Sequence, residues 1–590
     1  NFFDKNIPLT KSDFDLVVGN PPWVSRRKQN DGFFEEWVSL NKEKRKNVLA
    51  PDKQIAHGFM WRVIDFLSEK GEACLLLPAN VFLNSHTNLF QEYWLKSVTL
   101  ERVINFSDLR FVLFNGAIHP CVAVLFSKKP CDDFEKKVRY ESPKVDVRSQ
   151  QGGPVYIREE DTSFLAMKDL LKAAQKRKAS EIWKGRYWGT WYDSRLLSRL
   201  ANMPKISDLS DRATKTQSNK RWIHGQGIQI AGSDKNKAWW NSEIPFLDSS
   251  KPYEISIPEK LPTAKEAGIP TLVHRPRTPK LFYGPKVLMT KGSQRVIYTS
   301  EDLIFKDTFT SFTALKKEDA DNIRFLAAVF SSDVTQYYLF HSSSNLGIYR
   351  PQIFPEDMLA IPFFLPSDAP DPAKAKGIIK EVSQKMELFE KESILNNGFG
   401  QEEKAVSLRR ELEPLIREYY DINVFESMLI EDTVKTLIPS ATPSRTKTDI
   451  PTLRPIQQES IFVYSEVLCD VLAGYFGKKT IGENCKAPFS ASIFHGYPYT
   501  IVQLEKVPRA RKIRAGVNSE KMKEILHCLE SILEEQVGSF TFCKNIKVFY
   551  DEALYIIKPS QYRFWLKTAA LNDADEIMSA IVVAKEGEKI

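Results

Sequence analysis

Over the first 130 residues, apolar runs of strand length alternate with stretches whose apolar positions recur at helical spacing. Phe14 to Val18 is a short apolar run that ends at Gly19, which predicts a strand entering a tight turn. A polar helical stretch near 33 to 47 follows, then the amphipathic "AHGFMWRVIDFLSEKGE", the strand "ACLLLPANVFL", the helix "TNLFQEYWLKSV" and the strands "LERVINFS" and "PCVAVLFSK". This alternation predicts an α/β layer with a largely parallel sheet and a ligand crevice at the strand C-termini. A polar stretch with mixed short strands and the basic "LLKAAQKRKASEIWKGRYW" comes next. From about 200 to 365, short β-like runs rich in Gly, Pro and cations surround one strong helix signal, "ADNIRFLAAVFSSDVTQYYLF". Residues 370 to 437 turn helical, "SATPSRTKTDIPTLRP" has the bias of an exposed linker, and the remainder reads as a separate α+β domain. The expected divisions are 1–130, 131–199, 200–366, 367–440, 441–455 and 456–590.

Length and composition narrow the class. A chain of 590 residues should hold about three or four domains. Its 83 Lys and Arg against 75 Asp and Glu give a net charge of +8, too mild to establish a polyanionic partner, so local clusters must decide. Hydrophobic residues at 42% and charged residues at 27% suit a soluble protein, and no apolar run approaches the roughly 18 residues that span a bilayer. Seven scattered cysteines without a C-x-x-C support neither a disulfide framework nor a metal site, so no metal is expected and a reducing cytoplasm fits. No signal peptide is visible, and the first residue is Asn, from which we expect that the chain begins inside a longer gene product.

The chemistry concentrates in "DFDLVVGNPPWVSRRK", residues 13 to 28. Two consecutive prolines stiffen the turn after the first strand and present carbonyls with no competing backbone N–H. Asn20 adds a side-chain carbonyl and Trp23 a flat face, a combination suited to a planar group bearing an NH2. The run Asn20-Pro21-Pro22-Trp23 resembles the (N/D/S)-P-P-(Y/F/W) motif of S-adenosylmethionine-dependent amino-methyltransferases, and its surroundings resemble the N6-adenine DNA methyltransferases of restriction–modification and phage-defence systems. Two further segments strengthen the likeness. "GFMWRVIDFLSEKGEACLLLPANVFL" is similar to the family's helix and Pro-ended strand, and "VLFNGAIHPCVAVLF" to its late strand.

The resemblance implies an α/β methyltransferase-type, Rossmann-like domain of which only the later half is present here, then a mixed α/β recognition domain, a helical spacer and the C-terminal α+β domain. It implies transfer of a methyl group from S-adenosylmethionine to an adenine N6 in double-stranded DNA. Asn20 and Pro21 would grip the amine beside Pro22, and Trp23 and Phe114 would line the base pocket. The extruded base requires such a platform. Because the family's cofactor loop normally precedes this motif, the cofactor site is expected mostly outside the chain, with Asn20 adjacent, in an omitted N-terminal segment or another subunit of a complex. Gly225-Gln226-Gly227 lacks the strand–helix context of a nucleotide loop.

The middle region is similar to the target-recognition domain of such enzymes. Lys220, Arg221, Arg275, Arg277, Lys286, Lys291, Arg295 and Arg350 lie beside turns and aromatics, and Arg26 and Arg27, with Lys28, follow the catalytic turn. All are candidate DNA contacts. No D…(D/E)-x-K or H-N-H nuclease pattern stands out. Two other readings remain open: an amine methyltransferase acting on RNA or protein glutamine, and a non-catalytic DNA-binding specificity subunit.

Overall fold

The computed structural model describes residues 3, 14–24, 32–44, 50–51, 54–114, 116, 119–214, 219–251, 253–292, 295–395, 401–444, 446–476, 489–506, 513–516, 520, 522–528, 545–550 and 552–587. They fall into two units: Asn1–Ser107, Ile118–Glu141 and Ser163–Ile430 form the first, and Asp108–Ala117, Ser142–Thr162 and Glu431–Ile590 the second.

The first unit opens with a six-stranded sheet of β1 (Phe14–Gly19), β2 (Leu67–Pro78), β3 (Thr99–Asn105), β4 (Cys121–Ser127), β5 (Lys137–Glu141) and β6 (Thr162–Ala166), ordered β1-β2-β4-β3-β5-β6. Pairs β1–β2 and β3–β5 are parallel, but β4 runs antiparallel to both its neighbours. The sheet is therefore mixed rather than largely parallel. The connection, residues 106–120, holds only the short helices Ser107–Leu109 and Arg110–Leu113, and neither is the long crossover helix with which a parallel return usually covers the sheet. The sheet also runs past residue 130 to Ala166, beyond the expected end of the first domain.

Helices Ile55–Phe66 and Asn88–Leu95 cover this sheet with Met60, Trp61, Phe90 and Trp94. The Trp94 indole N–H donates to the Met60 carbonyl at 3.3 Å and the ring meets Phe126 edge-on at 5.0 Å. Part of the basic segment joins them. Trp183 of the helix Ala179–Trp188 is buried and donates to Gln91 at 2.9 Å. Burying both polar tips this way satisfies the indoles while their faces fill the core.

A second sheet in the same unit is built from β7 (Ser210–Arg212), β8 (Trp222–Gln226), β9 (Lys286–Thr290), β10 (Val296–Thr299) and β11 (Phe309–Ala314), in the order β10-β9-β11-β8-β7. The strong helix signal after it resolves into two helices, Ala320–Ser331 and Asp333–Ser342. Ser332 breaks them, because its hydroxyl accepts the Thr335 N–H as an N-cap. Long helices Pro372–Leu395 and Gln401–Tyr419 pack nearby, tied in part by Arg324 to Glu390 at 3.1 Å.

The second unit gathers three separate stretches of chain. Its sheet holds Phe489–Phe494, Tyr499–Lys506, Ile513–Gly516, Ile546–Tyr550 and Ala553–Pro559, and its long helices are Gln458–Phe476 and Lys567–Gly587. A buried carboxylate ties the stretches together: Asp108 accepts the backbone N–H of Val145 at 2.9 Å and that of Thr442 at 2.6 Å. Asp146 pairs with Arg158 at 2.9 Å and Asp161 with Arg563 at 3.3 Å. Thr442 lies in the stretch expected to be an exposed linker. Instead Ile450, Pro451 and Thr452 are buried, and Thr452 N–H donates to the Ser440 hydroxyl at 3.0 Å. Polar composition misled because backbone partners, not apolar burial alone, hold this segment.

Asp108→Ala strands the buried N–H of Val145 and the part-buried N–H of Thr442 at once. Each such loss costs about 1–3 kcal/mol. Denaturant unfolding should show that variant destabilised by a few kcal/mol, whereas Asp108→Asn, which keeps an acceptor, should lose less.

Candidate functional site

Strand β1 is an edge strand, and the side chains of Leu16 and Val18 are 62% and 72% exposed. At its end the chain passes Gly19, which pairs with Leu75, and enters the turn. Asn20 is exposed, Pro21 is buried, Pro22 is exposed and Trp23 is partly buried. Two bonds fix this corner from either side. The Trp23 indole N–H donates to the Leu76 carbonyl on β2 at 3.2 Å, and the Val24 carbonyl accepts the Ile55 N–H at the start of the helix at 3.2 Å. The Asn20 amide makes no hydrogen bond among the described residues, so its oxygen is open to a guest. Gln54, one residue before that N–H, has a buried Oε1 without a partner among them, and sequence reasoning did not single it out.

Two cavities lie elsewhere in the first unit, and neither is lined by Asn20 to Trp23. The first, of about 370 Å³, sits at the end of β2 between Asn80, His86, His119, Tyr349 and Arg350. His119 stacks on Tyr349 with ring centres 5.2 Å apart, and the Arg350 guanidinium lies 5.1 Å from the Tyr349 ring. Asn80 Oδ1 is buried there without a hydrogen-bond partner among the described residues. A buried acceptor left unpaired is costly and marks a place where a donor belongs. The wall of this cavity is braced from beneath by Lys184, which is buried and donates to the Leu346 carbonyl at 2.6 Å.

The second cavity, of about 420 Å³, is lined by Arg212, His224, Gln226, Arg275 and Arg277. Arg277 holds a left-handed φ of 63° while its Nε donates to the Gly227 carbonyl at 3.1 Å. Backbone strain of this kind costs of order 1–3 kcal/mol and persists where the surroundings enforce it. Gly227 is itself pressed against the backbone of Phe305 and Lys306, since a Cβ there would lie 2.2 Å from the Phe305 carbonyl oxygen. Burial, with Arg212 adding, lowers the His224 imidazole to about 4, so it is neutral at pH 7 and lies 3.0 Å from the Ser210 hydroxyl.

The expected cations separate accordingly. Arg275 and Arg277 share the second cavity with Arg212, and Arg350 is exposed at the first. Lys286 is corrected: it is wholly buried, donates to the carbonyls of Phe282, at 2.9 Å, and Glu301, and is lowered by burial to about 7. It braces β9 and has no route to a phosphate. Arg221 pairs with the buried Asp319, Lys220 donates to the Ser207 carbonyl, and Arg295 donates to the carbonyls of Ser249 and Lys251. Lys291 is half-buried. Arg26, Arg27 and Lys28 lie outside the described residues. Phe114 caps the short helix Arg110–Leu113 in the second unit and is half-buried. Asn80, Arg212 and His224 were missed because no spacing or motif distinguishes them. Among the described residues no cluster of His, Cys, Asp or Glu could hold a metal ion, and no helix is long and apolar enough to cross a membrane.

Residues 1–111, which contain the turn, match the Eco57I restriction-modification methylase family. Among solved structures, the chain is similar to the type IIG restriction endonuclease BpuSI, at 10% identity over 69% of this chain and 54% of that one, with a TM-score of 0.28. It is also similar to the type IIL restriction-modification enzyme MmeI in complex with DNA, at 10% identity over 71% and 56%, TM-score 0.35, and to DrdV in a DNA complex, at 12% identity over 64% and 44%, TM-score 0.36. The chain thus spans about half the length of these structures. No curated protein matches the sequence.

The brace beneath the first cavity makes a pH prediction. Burial lowers the Lys184 amine from its ordinary 10.5 to about 7, so between these values the unfolded chain binds the extra proton. Stability from this group therefore rises with pH across that window and is lost as pH falls toward 7. Urea unfolding of wild type against Lys184→Met, which cannot titrate, should show the wild type gaining about 2 kcal/mol on the variant from about pH 7 to about pH 9.

Proposed function

We propose that this chain, whose first 111 residues carry the methylase segment of a restriction–modification family, takes part in methylating adenine N6 in duplex DNA. The observation that carries the reading is the Asn20 amide, exposed and unpartnered among the described residues, on a corner held at both flanks. In this reading Asn20 Oδ1 and the Pro21 carbonyl accept the two hydrogens of the exocyclic amine and turn its lone pair outward. Trp23, its indole N–H already engaged by Leu76, offers its ring to the extruded base. Extrusion costs a few kcal/mol, which stacking of about 1–3 kcal/mol helps to offset.

S-adenosylmethionine, when bound, supplies an electrophilic methyl group on a sulfonium. An exposed strand-end amide fits a position beside such a donor, and the edge of β1 fits a neighbouring segment that completes the binding site. What the chain's own residues contribute is orientation, a form of catalysis that needs no general base to activate the nucleophile. Arg275 and Arg277, with Arg212, suit contacts to the phosphate backbone or base edges.

Asn20→Ala should lower adenine methylation by at least about 100-fold with DNA affinity nearly unchanged. Sequencing of methylated adenines in strains carrying the wild-type gene, the variant or neither reads this directly; a variant as active as wild type defeats the mechanism. The same preparations assayed on RNA and on protein separate the other amine acceptors.

Replacing Arg275 and Arg277 by Gln should weaken DNA binding and make log K against log salt shallower by about 0.9 for each phosphate that the variant no longer neutralises. Lys286→Met should leave that slope as it is. A slope unmoved by the arginine pair would clear them of any role at the phosphates.

A further inference from the structure

The loop Tyr349 to Glu356 divides the two cavities, and Phe354 and Glu356 line both. The Phe354 ring is 44% exposed and packs on no other aromatic ring or cation among the described residues. Its backbone is held on both sides. The preceding Ile353 is buried and donates its N–H to the Lys291 carbonyl at 2.8 Å. Phe354 N–H donates to Asp357 Oδ2 at 2.9 Å, Asp357 is steadied by the Ser343 hydroxyl at 3.2 Å, and Pro355 opens the following helix. A large apolar ring is thus presented on a stiff support, with Arg350 on one side and Arg212, Arg275 and Arg277 on the other.

That arrangement suits one kind of occupant. An apolar ring flanked by cations fits between stacked bases whose phosphates lie to either side, as wedge residues do when they part a base step. At the second cavity the three arginines outweigh Glu356 and favour a polyanion; at the first, Arg350 lies beside Glu356 and Asp357, and the unpaired Asn80 acceptor favours an N–H-bearing ring; both cavities are of ligand-binding size. We propose that Phe354 enters the duplex as a wedge, occupying the gap left by the extruded adenine, while the cavities on its flanks receive the adjoining nucleotides. Phe354 acts here as a positioning residue, and the assignment rests on the DNA-methylation reading above.

The test uses the full chain and synthetic duplexes carrying 2-aminopurine, which brightens when unstacked, in place of adenine. Wild type should brighten the probe on binding, Phe354→Trp should retain the effect, and Phe354→Ala should bind with less than about a third of the brightening. On the mapped methylation motif, Phe354→Ala should be at least about tenfold slower on a fully paired duplex and within about twofold of wild type when the adenine faces a mismatch, since unpairing is then already done. An alanine variant that brightens the probe normally, or that is equally slow on both duplexes, overturns the wedge. Failure of the wild type to brighten any duplex overturns it too. Brightening that depends on Phe354, with no methylated adenine in strains carrying the wild-type gene, would instead leave the wedge standing and remove the methyl-transfer reading.

Discussion

The corner at residues 20 to 24 depends on two bonds to backbone carbonyl oxygens, Trp23 to Leu76 and Ile55 to Val24. One carbonyl belongs to the adjacent strand and the other to the turn itself, so the turn is clamped between sheet and helix. The prolines restrict φ, and the clamp sets where the restricted chain points. Without it Asn20 would be one more exposed amide. With it, the amide has a fixed address at the end of a strand, where α/β sheets place their ligands.

Burial sorts the remaining candidates more sharply than charge does. Lys286 and Arg277 look alike in a sequence, each a cation near a turn. In the fold, Lys286 directs its hydrogen bonds to two carbonyls in the interior, while Arg277 is driven into a left-handed backbone at the lip of a cavity. A cation whose donors are already used inside the protein contributes to stability, and only one with donors left over can recognise a partner. Arg275, Arg277 and Arg212 line the cavity of about 420 Å³ and Arg350 that of about 370 Å³, and Phe354 stands between them.

Much of this was legible from residues alone where the signal is local. The strand before Gly19, the stiff Pro-Pro corner and the helices around Met60 and Trp94 follow from periodicity and turn chemistry. Signals that depend on distant partners were not legible. The antiparallel course of β4 was hidden because its direction is set by pairing with β2 and β3, and the connection before it carries no long helix to mark it. Ser332 interrupts an apolar run that reads as one helix, because a hydroxyl cap outweighs the continuing pattern. Asn80 and His224 carry no mark in sequence at all, since an unpaired oxygen and a desolvated ring exist only once the chain has folded around them.

The bond from Thr442 to Asp108 joins residues 334 positions apart. During synthesis at about 5–20 residues per second, the Asp108 carboxylate therefore waits tens of seconds before its second partner leaves the ribosome. Until then its neighbourhood is an unfinished interior, and the carboxylate has one of its two backbone partners, Val145. The nascent chain must carry that incomplete centre until Thr442 has been made, so the second unit cannot close around Asp108 while the sheets of the first unit, whose residues come earlier, already can form.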